Sequence, residues 1–117
     1  MAVTIQATPF VSSFNETTPV SQAAAQVSLG VGVAETWTVP GDGNKKYSAI
    51  FGYNGSSNIF VGFNTTAAVP SAGTVTTLTR VELCPDKRYV IGGDVLTFIT
   101  PDTTAYMSVS LLAIPNN

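Results

Sequence analysis

The side chains that could do chemistry are few in this chain. It contains no histidine and a single cysteine. Histidine is the usual general base and the commonest zinc ligand, so its absence removes the Ser-His and Cys-His nucleophile pairs. Cys84 lies in VELCPDK, where only Lys87 or Arg88 could activate it to a thiolate. We therefore interpret Cys84 as a small hydrophobic residue of a β core.

The carboxylates are better explained by turns than by catalysis. A glycosidase would need two of them facing one cleft. Four aspartates instead have Gly or Pro neighbours, as turn residues do: Asp42, Asp86, Asp94 and Asp102. The GDGN segment at 41–44 resembles a calcium loop but is not followed by the further acidic ligands. We expect no catalytic residue, no metal site and no cofactor, and hence a protein that is not an enzyme.

The charge content suggests that much of the surface lies against other chains. Charged residues make up 10% of the 117 residues, whereas about 25% is typical of globular domains. A small domain normally covers its large surface with charge, and this one uses Thr, Ser and Asn instead. Because interface cores are depleted of charge, we expect a homo-oligomer.

The same composition argues against several partners. The net charge is −2 with only five Lys and Arg, so no basic stripe for nucleic acid is expected. The opening AVTIQATPF has neither a basic start nor a signal-length apolar run, and no stretch approaches the roughly 18 apolar residues of a membrane span. We expect synthesis in a cytosol, no membrane partner, and stabilisation by packing without disulfides.

Period-two alternation of β-branched and aromatic residues, broken by Gly, Pro, Asn and Asp, dominates the chain. Only Ser21–Gln26 could form a helical turn. The pattern predicts an all-β sandwich or jelly-roll-like domain of about eight to nine short antiparallel strands over residues 21–117, preceded by an extended N-terminal arm over residues 1–20. The predicted strands are Val3–Thr8, Gln26–Val33, Glu35–Val39, Tyr47–Tyr53, Ile59–Asn64, Thr74–Leu83, Arg88–Ile91, Val95–Thr100 and Ala105–Ile114.

Three hairpins are predicted from turn chemistry. In YSAIFGYNGSSNIFVGFN (47–64), two alternating runs flank a small polar turn, which would pair Phe51 with Val61 and fold Phe60 over Gly52. The second hairpin would turn at Gly92–Gly93. The third would turn in the TPDTT segment at 100–104 and lead into the last strand.

Aromatic residues supply the candidate contact sites. The arm segment TPFVSSFNETTPVSQ has two prolines and no sustained alternation, so its phenylalanines need a groove on another subunit or on the domain's own core. Trp37 shares a strand face with Glu35 and could serve the core, an interface or a sugar-stacking platform. The candidate interface residues are Ile5, Phe10, Phe14, Trp37 and Tyr106.

The start MAVTIQATPFVSSFNETTPVSQ, the Thr/Ser/Gly/Asn-rich strands, the lack of histidine and the apolar ending TTAYMSVSLLAIPNN together resemble the small all-β decoration, or cement, proteins of tailed-phage capsids. Members of that group commonly form trimers at local symmetry axes of the shell and lock neighbouring capsid subunits. The resemblance implies a homotrimer on the virion surface, made in the host cytoplasm, that binds the major capsid protein and stabilises contacts between capsid subunits.

A carbohydrate- or receptor-binding head domain of a phage fibre is the alternative. Glycan binding predicts Trp37 or the tyrosines exposed in a concave patch. A cement protein predicts flat apolar interfaces and an arm that reaches away from the body. If the chain is a cement protein, residues before about Ser21 contribute more to association than to folding.

Overall fold

The structure is a computed structural model that describes residues 23–55 and 57–114. Residues 23–55 and 57–114 form eight β-strands, and no helix is assigned among them. The strands are β1 (Ala23–Gly30), β2 (Glu35–Thr38), β3 (Lys46–Tyr53), β4 (Phe60–Phe63), β5 (Val81–Leu83), β6 (Lys87–Ile91), β7 (Val95–Ile99) and β8 (Thr104–Ala113).

The strands pair as a ribbon folded back on itself. β1 pairs with β8, β2 with β7, β3 with β6 and β4 with β5, each time antiparallel. Pairing of β3 with β8 and of β4 with β7 joins them into two four-stranded sheets. Sheet 1 has the order β1-β8-β3-β6 and sheet 2 the order β2-β7-β4-β5. Eight strands nested in this way form a jelly roll, so the predicted fold class is confirmed.

The core lies between the two sheets and is built from alternate residues of each strand. In β8, the central strand next to β1, odd-numbered residues from Ala105 to Leu111 are buried and even-numbered residues face outward. Leu96 and Phe98 of β7 are fully buried from the other sheet. Period-two alternation therefore places one apolar face of each sheet inside, as sheet-on-sheet packing requires.

The predicted hairpin of residues 47–64 is wrong. Its two strands exist as β3 and β4, but β3 belongs to sheet 1 and β4 to sheet 2. Gly52 lies opposite Ser108 of β8, and Phe60 pairs with residues of β5 and β7, so Phe60 does not cover Gly52. The apolar faces of β3 and β4 meet across the core instead, where the rings of Phe51 and Phe63 pack edge to face with centroids 6.0 Å apart.

The other two predicted hairpins are also wrong, for the same reason. Gly93 has the expected positive φ of 95°, yet the turn at Gly92–Gly93 leads from β6 in sheet 1 to β7 in sheet 2. The 100–104 segment returns the chain from β7 to β8 in sheet 1. Turn residues mark where a strand ends, but they do not decide whether the next strand pairs beside it or crosses to the opposite sheet.

Two further local predictions need correction. In the segment expected to form a helical turn, Ala23–Gln26 is part of β1. Of the predicted strand Thr74–Leu83, only Val81–Leu83 is a strand. The predicted strand Val3–Thr8 and the arm lie outside the described residues, and the other predicted strands match β1 to β4 and β6 to β8 with shifted ends.

Gly62 allows the chain after β4 to lie directly on sheet 2. Thr97 of β7 donates a hydrogen bond through its hydroxyl to the carbonyl of Thr65 and accepts one from the N–H of Ala67, both at 2.7 Å. A Cβ added at Gly62 would stand 2.6 Å from the Thr97 hydroxyl and 2.7 Å from the Thr65 carbonyl oxygen. A Cβ at Gly52 would meet only the Ser108 hydroxyl, at 3.1 Å.

These distances predict different costs for the two glycines of the sequence 47–64. Gly62→Ala should lower the free energy of unfolding by about 1–3 kcal/mol, because backbone as well as side chain would have to move. Gly52→Ala should change it by about 0.5 kcal/mol or less, since a serine hydroxyl can rotate away. Urea denaturation of both variants measures this. Equal losses at the two positions would contradict the close packing of the 65–67 segment on Gly62.

Candidate functional site

A groove of about 300 Å³ opens between β1 and β2. Among the described strands, β1 is an edge of sheet 1 and β2 is an edge of sheet 2, so the groove lies where the two sheet edges separate. Its apolar lining comes from Ala25 and Val27 of β1, Trp37 of β2 and Phe98 of β7. Its polar lining includes Glu35, two residues before Trp37 on the same strand.

The groove exists because the inward-facing residues of β1 are small. Ala23, Ala25 and Val27 point between the sheets and are half-buried, whereas Leu29 at the far end of the strand is fully buried. Within the described residues β1 pairs only with β8, and β2 pairs only with β7. Trp37 packs against the core but is left half-buried, because alanine side chains do not fill the space beside its indole.

The outward-facing side chains of β1 and β8 form a second surface, here called the uncharged face. Its residues are Ala24, Gln26, Ser28 and Gly30 of β1 and Thr104, Tyr106, Ser108, Ser110 and Leu112 of β8. Neither strand contains a charged residue. Most of these side chains are small, so Tyr106, 54% exposed, is the largest feature of an otherwise flat surface.

Charged side chains gather on the opposite side of the sandwich. β5 and β6 are the edge strands there, and they carry Glu82, Lys87 and Arg88, with Arg80 and Asp86 beside them. Arg88 donates a hydrogen bond through Nε to Glu82 Oε1 at 2.8 Å and forms an ion pair with it. This hydrogen bond raises the pKa of the Arg88 guanidinium. The edge formed by β5 and β6, here called the charged side, therefore differs from β1 and β8. Other charged residues, such as Glu35 of β2 and Lys46 of β3, lie on neighbouring strands.

Three of the aspartates form turn contacts, as their Gly and Pro neighbours predicted. Each accepts a hydrogen bond from a backbone N–H: Asp42 from Asn44 at 2.9 Å, Asp94 from Ile91 at 2.9 Å and Asp102 from Asn58 at 2.7 Å. The first two bonds are local, while the third fixes the end of the β3–β4 connection to the 100–104 segment. These carboxylates are thus engaged in holding connections between the sheets.

The Cys84 thiol is half-buried and bonded to backbone groups. Its Sγ lies 3.4 Å from the Ser57 carbonyl oxygen and 3.5 Å from the Ile59 nitrogen. Beside it, the Tyr53 hydroxyl donates a hydrogen bond to the Pro85 carbonyl at 2.5 Å, and burial raises the pKa of this hydroxyl well above its usual value. Both groups tie the β5–β6 turn to the body of the domain.

Residues 23–55 and 57–114 contain no group of three or more side chains that could hold a metal ion. In the same part of the chain, no helix has the length and apolar character needed to cross a membrane. Comparison with protein-family models, with curated proteins and with solved structures finds no match for this chain.

The structure places the two described candidate interface residues on different surfaces. Trp37 lines the groove, whereas Tyr106 stands on the uncharged face. Ile5, Phe10 and Phe14 lie outside the described residues. Sequence reasoning missed the β1 side of the groove, because it placed Ala25 in a possible helical turn and alternation does not show that β1 is a sheet edge.

Different burial predicts different stability costs for these two aromatic residues. Trp37→Ala should lower the free energy of unfolding by about 1–3 kcal/mol, less than the roughly 3–5 kcal/mol of a fully buried tryptophan. Tyr106→Ala should cost about 1 kcal/mol or less, since only its packing on the sheet surface is lost. Thermal and urea denaturation measure both. A larger loss for Tyr106→Ala than for Trp37→Ala would contradict the assignment of the groove and the face.

Proposed function

We propose that this protein is a non-enzymatic structural protein of a virion, which binds the outer surface of a capsid and stabilises contacts between capsid subunits. The observation that carries the proposal is the uncharged face on β1 and β8, two adjacent strands without a charged residue, whereas β5 and β6 carry Glu82, Lys87 and Arg88. A small domain usually distributes charge over its whole surface for solubility. A pair of adjacent strands without any charge suits a surface that is covered in the assembly.

The properties of the uncharged face fit a protein partner. Its small side chains leave a flat surface, and its hydroxyl and amide groups, such as those of Ser108 and Gln26, can hydrogen-bond across an interface without the cost of burying a charge. Tyr106 adds a large side chain that is apolar along its ring and polar at its tip, a residue type enriched in binding hot spots. The proposed partners are the major capsid protein and further copies of this chain.

The proposed assembly is a homotrimer on the capsid surface, made in the host cytoplasm. The resemblance to cement proteins supplies the trimer, and the low overall charge is the physical support for association. In this arrangement Phe10 and Phe14 of the arm provide additional apolar contacts, each adding about 1.5–3 kcal/mol if buried on binding.

A carbohydrate- or receptor-binding head domain is the second candidate, and the groove favours it. Trp37 is placed in a concave surface beside the Glu35 carboxylate, which is the arrangement expected of a sugar-stacking platform. The same indole also packs against the core, which restricts how much of its ring a sugar could cover. Glycan-array binding that is lost in Trp37→Ala and kept in Tyr106→Ala would favour this candidate.

The proposal predicts the mass of the purified protein. At micromolar concentration, light scattering should give three times the mass of one chain. A monomer at this concentration would count against the homotrimer.

Two tyrosines of sheet 1 allow a controlled test of capsid binding. Tyr106 on β8 and Tyr89 on β6 both face outward and are 54% and 58% exposed, but Tyr89 lies on the charged side. Tyr106→Arg should abolish co-sedimentation with capsids of the virus that encodes the chain, because an unpaired charge would be buried in the interface. Tyr89→Arg should bind as the unaltered protein does.

The outcome is informative in both directions. Both variants should lie within about 1 kcal/mol of the unaltered protein in urea denaturation, so a loss of binding would report on the surface and not on folding. Binding that survives Tyr106→Arg, or that is lost equally in Tyr89→Arg, would exclude the uncharged face as the capsid contact.

A further inference from the structure

β1 is a sheet edge without the features that normally protect one. Its eight residues, AAAQVSLG, include no proline and no charged side chain. Its register with β8 is continuous from Ala23 opposite Leu111 to Gly30 opposite Thr104, so no bulge twists the edge away. An edge of this length without charge, proline or bulge is a template for another strand.

The other three sheet edges in the described residues differ from β1. β2 has four residues and carries Glu35, and β5 has three residues and carries Glu82. β6 begins with Lys87 and Arg88. Short strands and charged side chains are the usual means of blocking strand addition. Among these edges, β1 is therefore the one suited to accept a further strand.

The groove lies directly beside this free edge. Ala25 and Val27 of β1 line it together with the half-buried Trp37. A strand added to β1 would continue sheet 1, and its inward-facing side chains would enter the space above the indole. The open edge and the unfilled groove are thus two signs of the same incomplete side of the sandwich.

The chain outside the described residues supplies a segment with the matching pattern. Residues 1–22 precede β1 and join it at Ala23, at the end of the free edge. In Val3–Thr8, VTIQAT, the apolar Val3, Ile5 and Ala7 alternate with polar residues. β1 has the same alternation, with Ala or Val inward and Gln or Ser outward.

We propose that Val3–Thr8 pairs antiparallel with the free edge of β1 in the same chain. Residues directly opposite each other in an antiparallel pair share a face, so one register set places Val3, Ile5 and Ala7 between the sheets and Gln6 outward. Ile5, the largest of the three, covers the indole of Trp37. Sheet 1 then has five strands, and the groove is closed by the chain's own N-terminal segment.

The length of the connection supports pairing within one chain. Fourteen residues, 9–22, separate Thr8 from Ala23. They can span roughly 46–50 Å when extended, while neighbouring strands lie only about 4.8 Å apart. A tether of this length gives an effective concentration in the millimolar range, which exceeds that of an unassociated second chain at micromolar protein. Within an oligomer, chain mixing distinguishes the two.

This inference does not rest on the proposed function. It assigns Val3–Thr8 to the domain's own sheet and leaves Phe10 and Phe14, on the connecting segment, free to contact a partner. One molecule can therefore use the uncharged face to bind a partner while its own N-terminal segment fills the groove. If the groove is filled in this way, Trp37 is not open to a sugar.

Trp37 is the chain's single tryptophan, so its fluorescence reports on the groove alone. The full-length protein should show blue-shifted emission and weak quenching by acrylamide, because Ile5 covers the indole. Deletion of residues 2–8 should shift the emission to the red and increase quenching. Ile5→Lys should reproduce the deletion, whereas Gln6→Lys, which places the same charge on the outward face, should behave as the full-length protein.

Amide hydrogen exchange tests the strand pairing independently of fluorescence. In the full-length protein the β1 amides that point away from β8 should be protected, and in Ile5→Lys they should exchange while the β8 amides stay protected. Unchanged Trp37 emission and β1 exchange in Ile5→Lys would overturn the proposal. Equal effects of Ile5→Lys and Gln6→Lys would overturn it too, since alternation would then play no part.

A mixing experiment identifies the chain that supplies the strand. Chains lacking residues 2–8 are refolded together with full-length Trp37→Phe chains, so that all emission comes from the truncated copies. Pairing within one chain predicts red-shifted emission that the mixture does not alter. Recovery of the blue-shifted emission would assign the strand to a second copy and overturn the proposal in its stated form.

Discussion

The structure depends on one constraint, which is that every strand must place alternate side chains between the two sheets. β8 shows this most fully, because it pairs with strands on both sides and buries four of its residues from Ala105 to Leu111. Its outward positions are then free to vary without loss of the core. The outward-facing residues of β8 are mostly small and uncharged, and packing of the core does not require this.

The same constraint explains where charge can go. A charged side chain directed into the core would need a buried partner, so charge is limited to outward positions, sheet edges and turns. Several such positions are available on every side of the sandwich. The chain places charge on β2, β3, β5 and β6, with an ion pair between Glu82 and Arg88, and leaves β1 and β8 without any. This asymmetry is what connects the low overall charge with a particular surface.

Strand positions could be predicted from the sequence because alternation is a local property. The pairing of those strands could not, because Phe51 and Phe63 satisfy the same pattern whether they lie side by side in a hairpin or face each other across the core. Gly52 and Gly62 look equivalent in the sequence, yet only Gly62 lies under a returning segment of chain. What separates them is the folding of the whole ribbon, which local residues do not encode.

The residues of the candidate surfaces could be predicted from the sequence, but the surface to which each belongs could not. Trp37 and Tyr106 could be chosen as aromatic residues on predicted strands, but the surface that each occupies follows from which strands are edges. A groove beside Trp37 requires that Ala25 be small and that β1 have no neighbour there among the described strands. The uncharged face and the proposed fifth strand of sheet 1 both depend on alternation. Outward-facing residues of β1 and β8 form the face, and inward-facing residues of the added strand would fill the groove.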